Sequence, residues 1–234
     1  MNSPSVESVF GRSWQLLSSN WVIIVPGVVI GIVVALLNGI VDPPIDPLNP
    51  GPTVVNGFAR LGVGLAALAL AIAQYTYTTG MAGAAWIRGK TTLADGTRAF
   101  ERDAGNMFVA MIGLFVAGGI ALLLMLPTIG LSFLALFFFF IYTFPAAVVG
   151  ERPGFAAMAD SCRMALARPI PTLIMAALIV VISIGVSFVL SLLSLAPLIG
   201  PLVSAIVLQA LGAYVTLVVV GEYLALRGAA TPPV

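Results

Sequence analysis

Four polar or charged side chains within or at the ends of the apolar stretches are functional candidates, because a polar group is costly there. They are Gln74, Gln209, Glu222 and Arg60. Glutamines in such stretches commonly form hydrogen bonds between helices, and we favour that role for Gln74 and Gln209. Glu222 lies near the end of its stretch, so we expect it to reach water or to pair with an arginine. An ion-coupling carboxylate is the alternative.

Arg60 is close in sequence to a proline-rich loop that carries Asp42 and Asp46. We expect a partly buried ion pair between Arg60 and one of these aspartates. Because a charged group near a membrane core also marks binding sites, an anion site at Arg60 is the alternative.

The sequence offers little for catalysis. It contains no histidine and a single cysteine, Cys162, which excludes the usual Ser-His-Asp triads and HExxH zinc sites. There is no P-loop, and no pair of aspartates lies within the apolar stretches. Cys162 has no histidine to activate it, and we expect a reduced thiol on the apolar side of a helix. We therefore predict that the protein is not an enzyme and has no catalytic, cofactor-binding or metal-binding residue.

The composition is that of an integral membrane protein. Of the 234 residues, 60% are hydrophobic and 8% are charged, whereas a soluble domain has roughly 25% charged residues. The mean hydropathy is +1.13. The net charge of +1 gives no reason to expect nucleic acid as a partner.

Six segments are apolar enough to cross the membrane as helices, which takes roughly 20 residues for a hydrocarbon core about 30 Å thick. We place them at about Trp21 to Val41, Leu61 to Ile87, Met107 to Leu126, Leu131 to Val149, Ile170 to Leu195 and Leu202 to Leu226. Pro26 and Pro145 lie within spans and predict kinks, since proline removes a helix hydrogen bond. Gly27 and Gly31 have the GxxxG spacing that allows close helix packing. The phenylalanines at 137–140 point to all sides of their helix, so we predict no ligand site there.

Basic residues are distributed unevenly over the links between these spans. Nine of the ten lie on one side of a six-span arrangement, and Arg60 is the tenth. The links at about 42–52, 127–130 and 196–201 contain no basic residue. An excess of basic residues marks the cytoplasmic side, so both termini are predicted to be cytoplasmic.

Three segments that precede spans one, three and five repeat their apolar residues with helical periodicity, which predicts amphipathic helices on the cytoplasmic side. They cover about 5–18, 92–104 and 154–167. Thr92 and Asp95 form a weak capping box at the start of the second. In the membrane interface these helices would offer arginines to anionic lipid headgroups. The candidate headgroup contacts are Arg12, Arg98, Arg102, Arg163 and Arg168. Packing beneath the bundle is the alternative.

The chain thus repeats one unit three times: an amphipathic helix, a span, a short outer turn and a second span. Arg12, Arg98 and Arg163 occupy corresponding places in the three copies. The predicted fold class is all-α, a polytopic membrane helix bundle. Its six transmembrane helices form three hairpins, each preceded by a cytosolic amphipathic helix, and residues 1–234 form a single integral membrane domain.

Three segments carry a resemblance to a known family: SVFGRSWQLLSSNW at 8–21, FPAAVVGERPGFAAMADSCRMAL at 144–166 and YVTLVVVGEYLALRG at 214–228. They resemble the six-helix membrane domain of some bacterial glycerophosphodiester phosphodiesterases, and the related uncharacterised bacterial inner-membrane proteins that consist of that domain alone. The shared pattern is chiefly Pro145, Glu151, Gly154 and Ser161. The resemblance implies a fold and a location in the bacterial cytoplasmic (inner) membrane. In those enzymes the phosphodiesterase chemistry belongs to a separate soluble domain, so no catalytic residue is carried over.

These observations support two functional hypotheses. The first is a non-enzymatic scaffold or lipid-associated accessory factor, with membrane lipids and a membrane or cytosolic protein as partners. The second is a small-solute or lipid transporter or channel, which the repeat, the kinks and the two buried glutamines suggest. A polar cavity at mid-membrane would favour the second, whereas a solidly packed bundle with both glutamines bonded would count against it.

Overall fold

The computed structural model describes residues 6–41, 56–193 and 199–228. Within these ranges the chain forms nine α-helices and one 3₁₀ turn at Trp21–Ile24, and it forms no strand. The helices are α1 (Val6–Ser19), α2 (Val25–Val41), α3 (Asn56–Arg88), α4 (Leu93–Leu123), α5 (Leu131–Phe140), α6 (Thr143–Val148), α7 (Gly154–Ala167), α8 (Pro169–Leu193) and α9 (Ile199–Leu226). Six segments are long and apolar enough to cross a membrane. The predicted fold class, an all-α polytopic bundle, is confirmed.

The six spans lie close to their predicted positions. The 3₁₀ turn with α2 forms the first, α3 the second and α4 the third; α5 with α6 forms the fourth, and α8 and α9 form the last two. The turn predicted at 127–130 ends at Gly130, whose φ of 82° suits glycine. The loop at 42–52, with Asp42 and Asp46, and the first residues of the link at 196–201 lie outside the described residues.

The second amphipathic segment is not a separate helix. The sequence predicts a helix of its own at 92–104, but α4 continues through it into the third span without a break. No proline interrupts α4, and Gly105 and Asn106 weaken a helix without ending it. In the third unit the break has a local cause, because Pro169 disfavours the helical conformation at the preceding residue. Arg168 accordingly has a φ of −136°.

The fourth span is broken between α5 and α6. Pro145 has no N–H to donate to the carbonyl one turn earlier, and the kink predicted at this residue is present. Ser161 of α7 bonds to the backbone at the break: its Oγ donates to the carbonyl of Phe139 at 2.8 Å and accepts the N–H of Tyr142 at 3.0 Å. Pro26 likewise lies in the first turn of its helix, α2, directly after the 3₁₀ turn at Trp21–Ile24.

The tightly packed core lies at one end of the bundle, where α3 and α9 finish. Met81, Tyr142, Leu217 and Tyr223 are at most 1% exposed there. In the opposite halves of α2 and α3, no side chain at 28–39 or 57–71 is buried. Large apolar side chains exposed along the spans suit contact with lipid chains, since these are as apolar as leucine.

The helices α1 and α7, at two of the segments predicted to be amphipathic, each pack one face against the bundle. α1 buries Val9 and Leu16 and lies mainly against α9, while α7 contacts α4, α5 and α6. Trp14 and Phe155 remain 63% and 62% exposed. Packing beneath the bundle therefore accounts for one face of each helix, and each helix also has a largely exposed aromatic residue.

Candidate functional site

Nine basic residues lie at the packed end of the bundle, which we call the basic end. They are Arg12, Arg88, Lys90, Arg98, Arg102, Arg152, Arg163, Arg168 and Arg227. At least five of them form ion pairs with carboxylates of the same end: Arg88, Arg98, Arg102, Arg152 and Arg163. The basic end is therefore a network of charges of both signs, and any affinity for anions must come from local geometry.

Three arginines of this end line one pocket of about 300 Å³, formed by α3, α4 and the link between α6 and α7. They are Arg88, Arg98 and Arg102, and the carboxylates that line the pocket with them are Asp95 and Glu151. We call this the arginine pocket. The sequence analysis singled out Arg98 and Arg102, and the structure brings them together with Arg88. Arg88 was missed because it ends the long helix α3, and only the fold shows that α4 returns beside it.

Asp95 lies at the buried side of the pocket and holds two of the three arginines in place. Arg88 Nη2 lies 2.7 Å from Asp95 Oδ1, and Arg98 Nη1 lies 3.5 Å from the same oxygen. The other oxygen, Oδ2, accepts the N–H of Thr92 at 2.9 Å and its hydroxyl at 3.1 Å. The predicted capping box between Thr92 and Asp95 is thus present. It fixes the carboxylate that holds Arg88 and Arg98.

Arg102 is bound more tightly than the other two. Its Nη2 lies 2.8 Å from Oδ2 of Asp103, whose side chain is 2% exposed. Its Nη1 lies 2.6 Å from Glu151 Oε1, and it also donates to the carbonyl of Val148 at 3.0 Å. Arg102 therefore joins α4 to the link after α6, and neutralising a buried carboxylate is part of its role.

The other three candidate headgroup contacts lie apart from the arginine pocket. Arg12 stacks on Trp86, with its guanidinium carbon 4.9 Å from the ring centre. Arg163 is 80% exposed and lies 3.4 Å from Asp160. Arg168 is exposed and interacts electrostatically with Glu222. The structure thus separates the five arginines into two that share a pocket and three that do not.

Glu222 is buried, with 4% of the residue exposed. It does not reach water, and Arg168 is a charged group that acts on it electrostatically; the expected pairing with an arginine stays a prediction. Its Oε2 has no hydrogen-bond partner among the described residues. Arg60 is exposed at the start of α3, and the aspartates expected to pair with it lie outside the described residues.

Gln74 and Gln209 are directly hydrogen-bonded across α3 and α9. Gln74 Nε2 donates to Gln209 Oε1 at 2.8 Å, in agreement with the expected interhelical role. Gly27 of α2 faces this pair, and a Cβ there would overlap with Gln209 Oε1. A Cβ at Gly31 would lie 3.2 Å from Gln209 Nε2. The GxxxG pair of α2 therefore provides space for a glutamine side chain.

The glutamine pair lines a cavity of about 280 Å³ between α2, α3 and α9, which we call the polar cavity. Its polar residues are Gln74, Gln209, Tyr75, Thr78 and Thr216. Among the residues that the structure describes, no charged one lines it. The bundle is therefore not packed solid around the two glutamines.

A larger cavity, of about 570 Å³, lies beside the polar cavity and is lined mainly by apolar residues. The two share the lining residues Tyr75, Leu208, Gly212 and Thr216. Phenylalanines at both ends of the 137–140 run, where we predict no ligand site, line this apolar cavity. These two residues, Phe137 and Phe140, are three positions apart in α5 and therefore share one face of the helix.

Asn20 is a positioning residue that the sequence analysis missed. Its side-chain oxygen accepts the N–H of Thr91 at 2.9 Å, and its amide nitrogen donates to the carbonyl of Gly89 at 3.2 Å and to that of Leu16 at 3.0 Å. The start of the first span is thereby joined to the turn between α3 and α4, next to the arginine pocket. An asparagine just before an apolar stretch is a weak signal on its own.

Cys162 is free and half-buried on α7. Burial raises the pKa of its thiol above the ordinary value, because the charged thiolate loses hydration. No group of three or more possible metal ligands occurs among the described residues.

Comparison with known proteins gives no match to a family model, a curated protein or a solved structure. The resemblance of the three segments at 8–21, 144–166 and 214–228 to the phosphodiesterase membrane domain therefore stays a prediction.

Proposed function

We propose that the protein is a non-enzymatic, lipid-associated accessory factor of the bacterial cytoplasmic membrane that binds the headgroup of an anionic phospholipid in the arginine pocket. The observation that carries this proposal is the convergence of Arg88, Arg98 and Arg102 on one pocket of about 300 Å³ at the end of the membrane spans. A scaffold role toward a protein partner is compatible with such an anchored lipid.

Unused hydrogen-bond donors support an anionic ligand. Each guanidinium has five N–H donors, and Arg88 and Arg98 each have one acceptor, Asp95, in the part of the chain that the structure describes. Their side chains are 51% and 70% exposed. Guanidinium groups bind phosphate oxygens in pairs of parallel hydrogen bonds, so these donors suit a phosphodiester.

The surroundings of the pocket favour a lipid over a soluble phosphate. Ile87 lines the pocket and is 68% exposed, and Leu93, 44% exposed, begins the next helix. A ligand with its anionic group on Arg98 would have apolar protein surface, and then lipid, directly beside it. A phospholipid at the membrane interface satisfies both requirements.

The test compares two arginines with matched surroundings. Arg98 and Arg163 are both largely exposed, and each lies close to an aspartate three residues earlier, at 3.5 and 3.4 Å. Native mass spectrometry of the detergent-solubilised protein, titrated with phosphatidylglycerol and with phosphatidylcholine, should show selective binding of the anionic lipid. Arg98→Gln should weaken that binding about fivefold to tenfold, whereas Arg163→Gln should leave it unchanged. Equal effects of the two substitutions would contradict the proposal.

The orientation of the chain belongs to the same proposal, with the basic end and both termini in the cytoplasm. Ala159 is exposed on α7 and offers a labelling position after Cys162→Ser removes the native thiol. A membrane-impermeant maleimide should modify Ala159→Cys in inverted vesicles and leave it unmodified in spheroplasts. The reverse pattern would overturn the orientation.

We also propose membership of the family that three segments of the sequence resemble. The four residues of the shared pattern lie around one feature: Pro145 at the break in the fourth span, Ser161 bonded to that break, Glu151 paired with Arg102, and Gly154. A Cβ at Gly154 would overlap with Val109. A common structural role supports the proposal. An unbroken fourth span in a solved phosphodiesterase membrane domain would contradict it.

The second candidate function is transport of a small solute or a lipid. The observation that favours it is the pair of adjacent cavities at mid-depth, which share Tyr75 and Thr216. Proteoliposomes with a fluorescent lipid in both leaflets, quenched by dithionite from outside, test lipid movement; light scattering after an osmotic step tests solute flux. Rates equal to those of protein-free liposomes in both assays would exclude this function under those conditions.

A further inference from the structure

We propose that the polar cavity is a binding site for an uncharged small molecule, of the polyol or amide class, that both donates and accepts hydrogen bonds at Gln74 and Gln209. The site is distinct from the arginine pocket. Gln74 precedes Arg88 by about 20 Å along α3, at about 1.5 Å per residue. The inference concerns binding and does not require that the bound molecule crosses the membrane.

The hydrogen bond between the two glutamines leaves half of each amide free. A primary amide has two donors and a carbonyl acceptor. Gln74 donates through Nε2 to Gln209 Oε1 at 2.8 Å, so its own Oε1 remains as an acceptor, and Gln209 Nε2 remains as a donor. Within the described residues the structure shows no further hydrogen bond for either group. Two amides fixed by one mutual bond therefore present a complementary donor and acceptor to the cavity they line.

Simple interhelical bonding does not require the space beside the pair. Glutamines that only join helices are best enclosed, because an unsatisfied amide in a membrane interior is costly. Here the pair lines a cavity of about 280 Å³, equivalent to about nine water volumes at about 30 Å³ each. Gly27 and Gly31 let the backbone of α2 pack closely against the pair, and Gly27 also lines the cavity.

Three residues with hydroxyl groups line the cavity in addition to the glutamine pair. Thr78 and Thr216 line the cavity, and Thr216 Oγ1 donates to the carbonyl of Gly212 at 2.9 Å, which leaves its lone pairs as acceptors. Tyr75 also has a hydroxyl group, and its ring packs on Phe144, with the ring centres 5.1 Å apart. Several hydroxyl and amide groups around one small volume suit a ligand with hydrogen bonds on more than one side.

The absence of charge in the lining sets the ligand class. No acidic or basic residue in the described part of the chain lines the cavity, and an ion without a counter-charge is strongly disfavoured at this depth. The ligand must therefore be neutral. It must also offer a donor for Gln74 Oε1 and an acceptor for Gln209 Nε2, which excludes purely apolar molecules.

Saturation-transfer difference NMR on the full chain in deuterated nanodiscs tests the site, with glycerol and urea as probes and acetate as a charged comparison. We expect saturable binding of glycerol or urea. Gln209→Leu should weaken this binding about tenfold, because the ligand loses its hydrogen bond to Gln209 Nε2 and Gln74 loses the hydrogen bond that fixes its side chain. The same substitution at Gln15, which is exposed on α1, is the matched control and should change nothing. Thr78→Val provides a second variant, with an expected loss of about threefold, should Gln209→Leu not fold.

Three results would overturn the proposal. The first is no saturable binding of either neutral probe, which would leave the pair as interhelical bonding alone. The second is binding that is equally strong in the wild-type chain and in Gln209→Leu or Thr78→Val. The third is acetate binding as tight as that of glycerol, which would contradict the inference from the uncharged lining.

Discussion

Trp86 of α3 donates a hydrogen bond from its indole Nε1 to the backbone carbonyl of Leu217 in α9, at 2.7 Å. The ring then lies against Gly221, one turn further along α9, where a Cβ would overlap with it. The guanidinium of Arg12 also lies over the Trp86 ring. One side chain thus connects α1, α3 and α9 at the basic end.

Gly221→Ala should therefore destabilise the protein. The added methyl group must displace the buried indole ring, and overpacking of this kind costs about 1–3 kcal/mol. Thermal unfolding in detergent, followed by tryptophan fluorescence, measures the effect. Gly212→Ala is the control on the same helix, because a Cβ there meets no atom within 4 Å. Equal unfolding temperatures for the two variants would refute this account of Gly221.

Ser161→Ala should lower stability more than a serine substitution elsewhere on the bundle. It removes both the donor to the Phe139 carbonyl and the acceptor for the Tyr142 N–H, and leaving buried groups unpaired costs about 1–3 kcal/mol each. Ser187, exposed on α8, gives the control Ser187→Ala, with an expected change near zero. Unfolding by a graded denaturing detergent is the measurement. No difference between the variants would mean that Ser161 does not support the break.

Asn20→Ala should loosen the turn between α3 and α4. Three hydrogen bonds disappear, to Leu16, Gly89 and Thr91, and Asn20 is 5% exposed, so water replaces them poorly. Hydrogen exchange should show faster exchange of the Thr91 amide and of the start of α4. Asn38→Ala, at an exposed position in α2, should leave that exchange unchanged; unaltered Thr91 protection in Asn20→Ala would disprove the prediction.

Cys162 should react slowly with maleimide at pH 7 and faster as the pH rises. Burial raises the pKa of the thiol, so the reactive thiolate is scarcer at neutral pH than in an exposed cysteine, and its fraction grows about tenfold per pH unit until the pKa is passed. Ala159→Cys in the Cys162→Ser background provides an exposed thiol on the same helix. Its rate should level off nearer pH 8.5, the approximate ordinary pKa. Identical pH profiles of the reaction rate for the two thiols would contradict a raised pKa of Cys162.

Much of the fold follows from the sequence because membrane spans are set by local composition. Runs such as the one ending at Val41 must form helices in a membrane, since no other structure satisfies the backbone there. The break at Pro145 follows from its missing N–H. The continuity of α4 does not follow from the sequence, because a helix can either end or continue at Gly105 and Asn106. Packing against α3 decides between these two outcomes.

The candidate sites were predicted less completely, for reasons of geometry. Gln74 and Gln209 stand out because amides are rare in apolar stretches, but the sequence does not show that they meet beside a cavity. Arg98 and Arg102 stand out by charge. Asp95 joins Arg98 to Arg88, and its role depends on how α4 folds back beside α3, a relationship no local pattern encodes.

Because burial along α2 and α3 is uneven, these helices are surrounded mainly by protein in one membrane leaflet and mainly by lipid in the other. In the leaflet at the basic end, protein side chains solvate one another. At 28–39 and 57–71 no side chain is buried, so acyl chains must provide that solvation. The conformational stability of these segments is then partly a property of the bilayer, and it will vary with hydrocarbon thickness and with the detergent that replaces it.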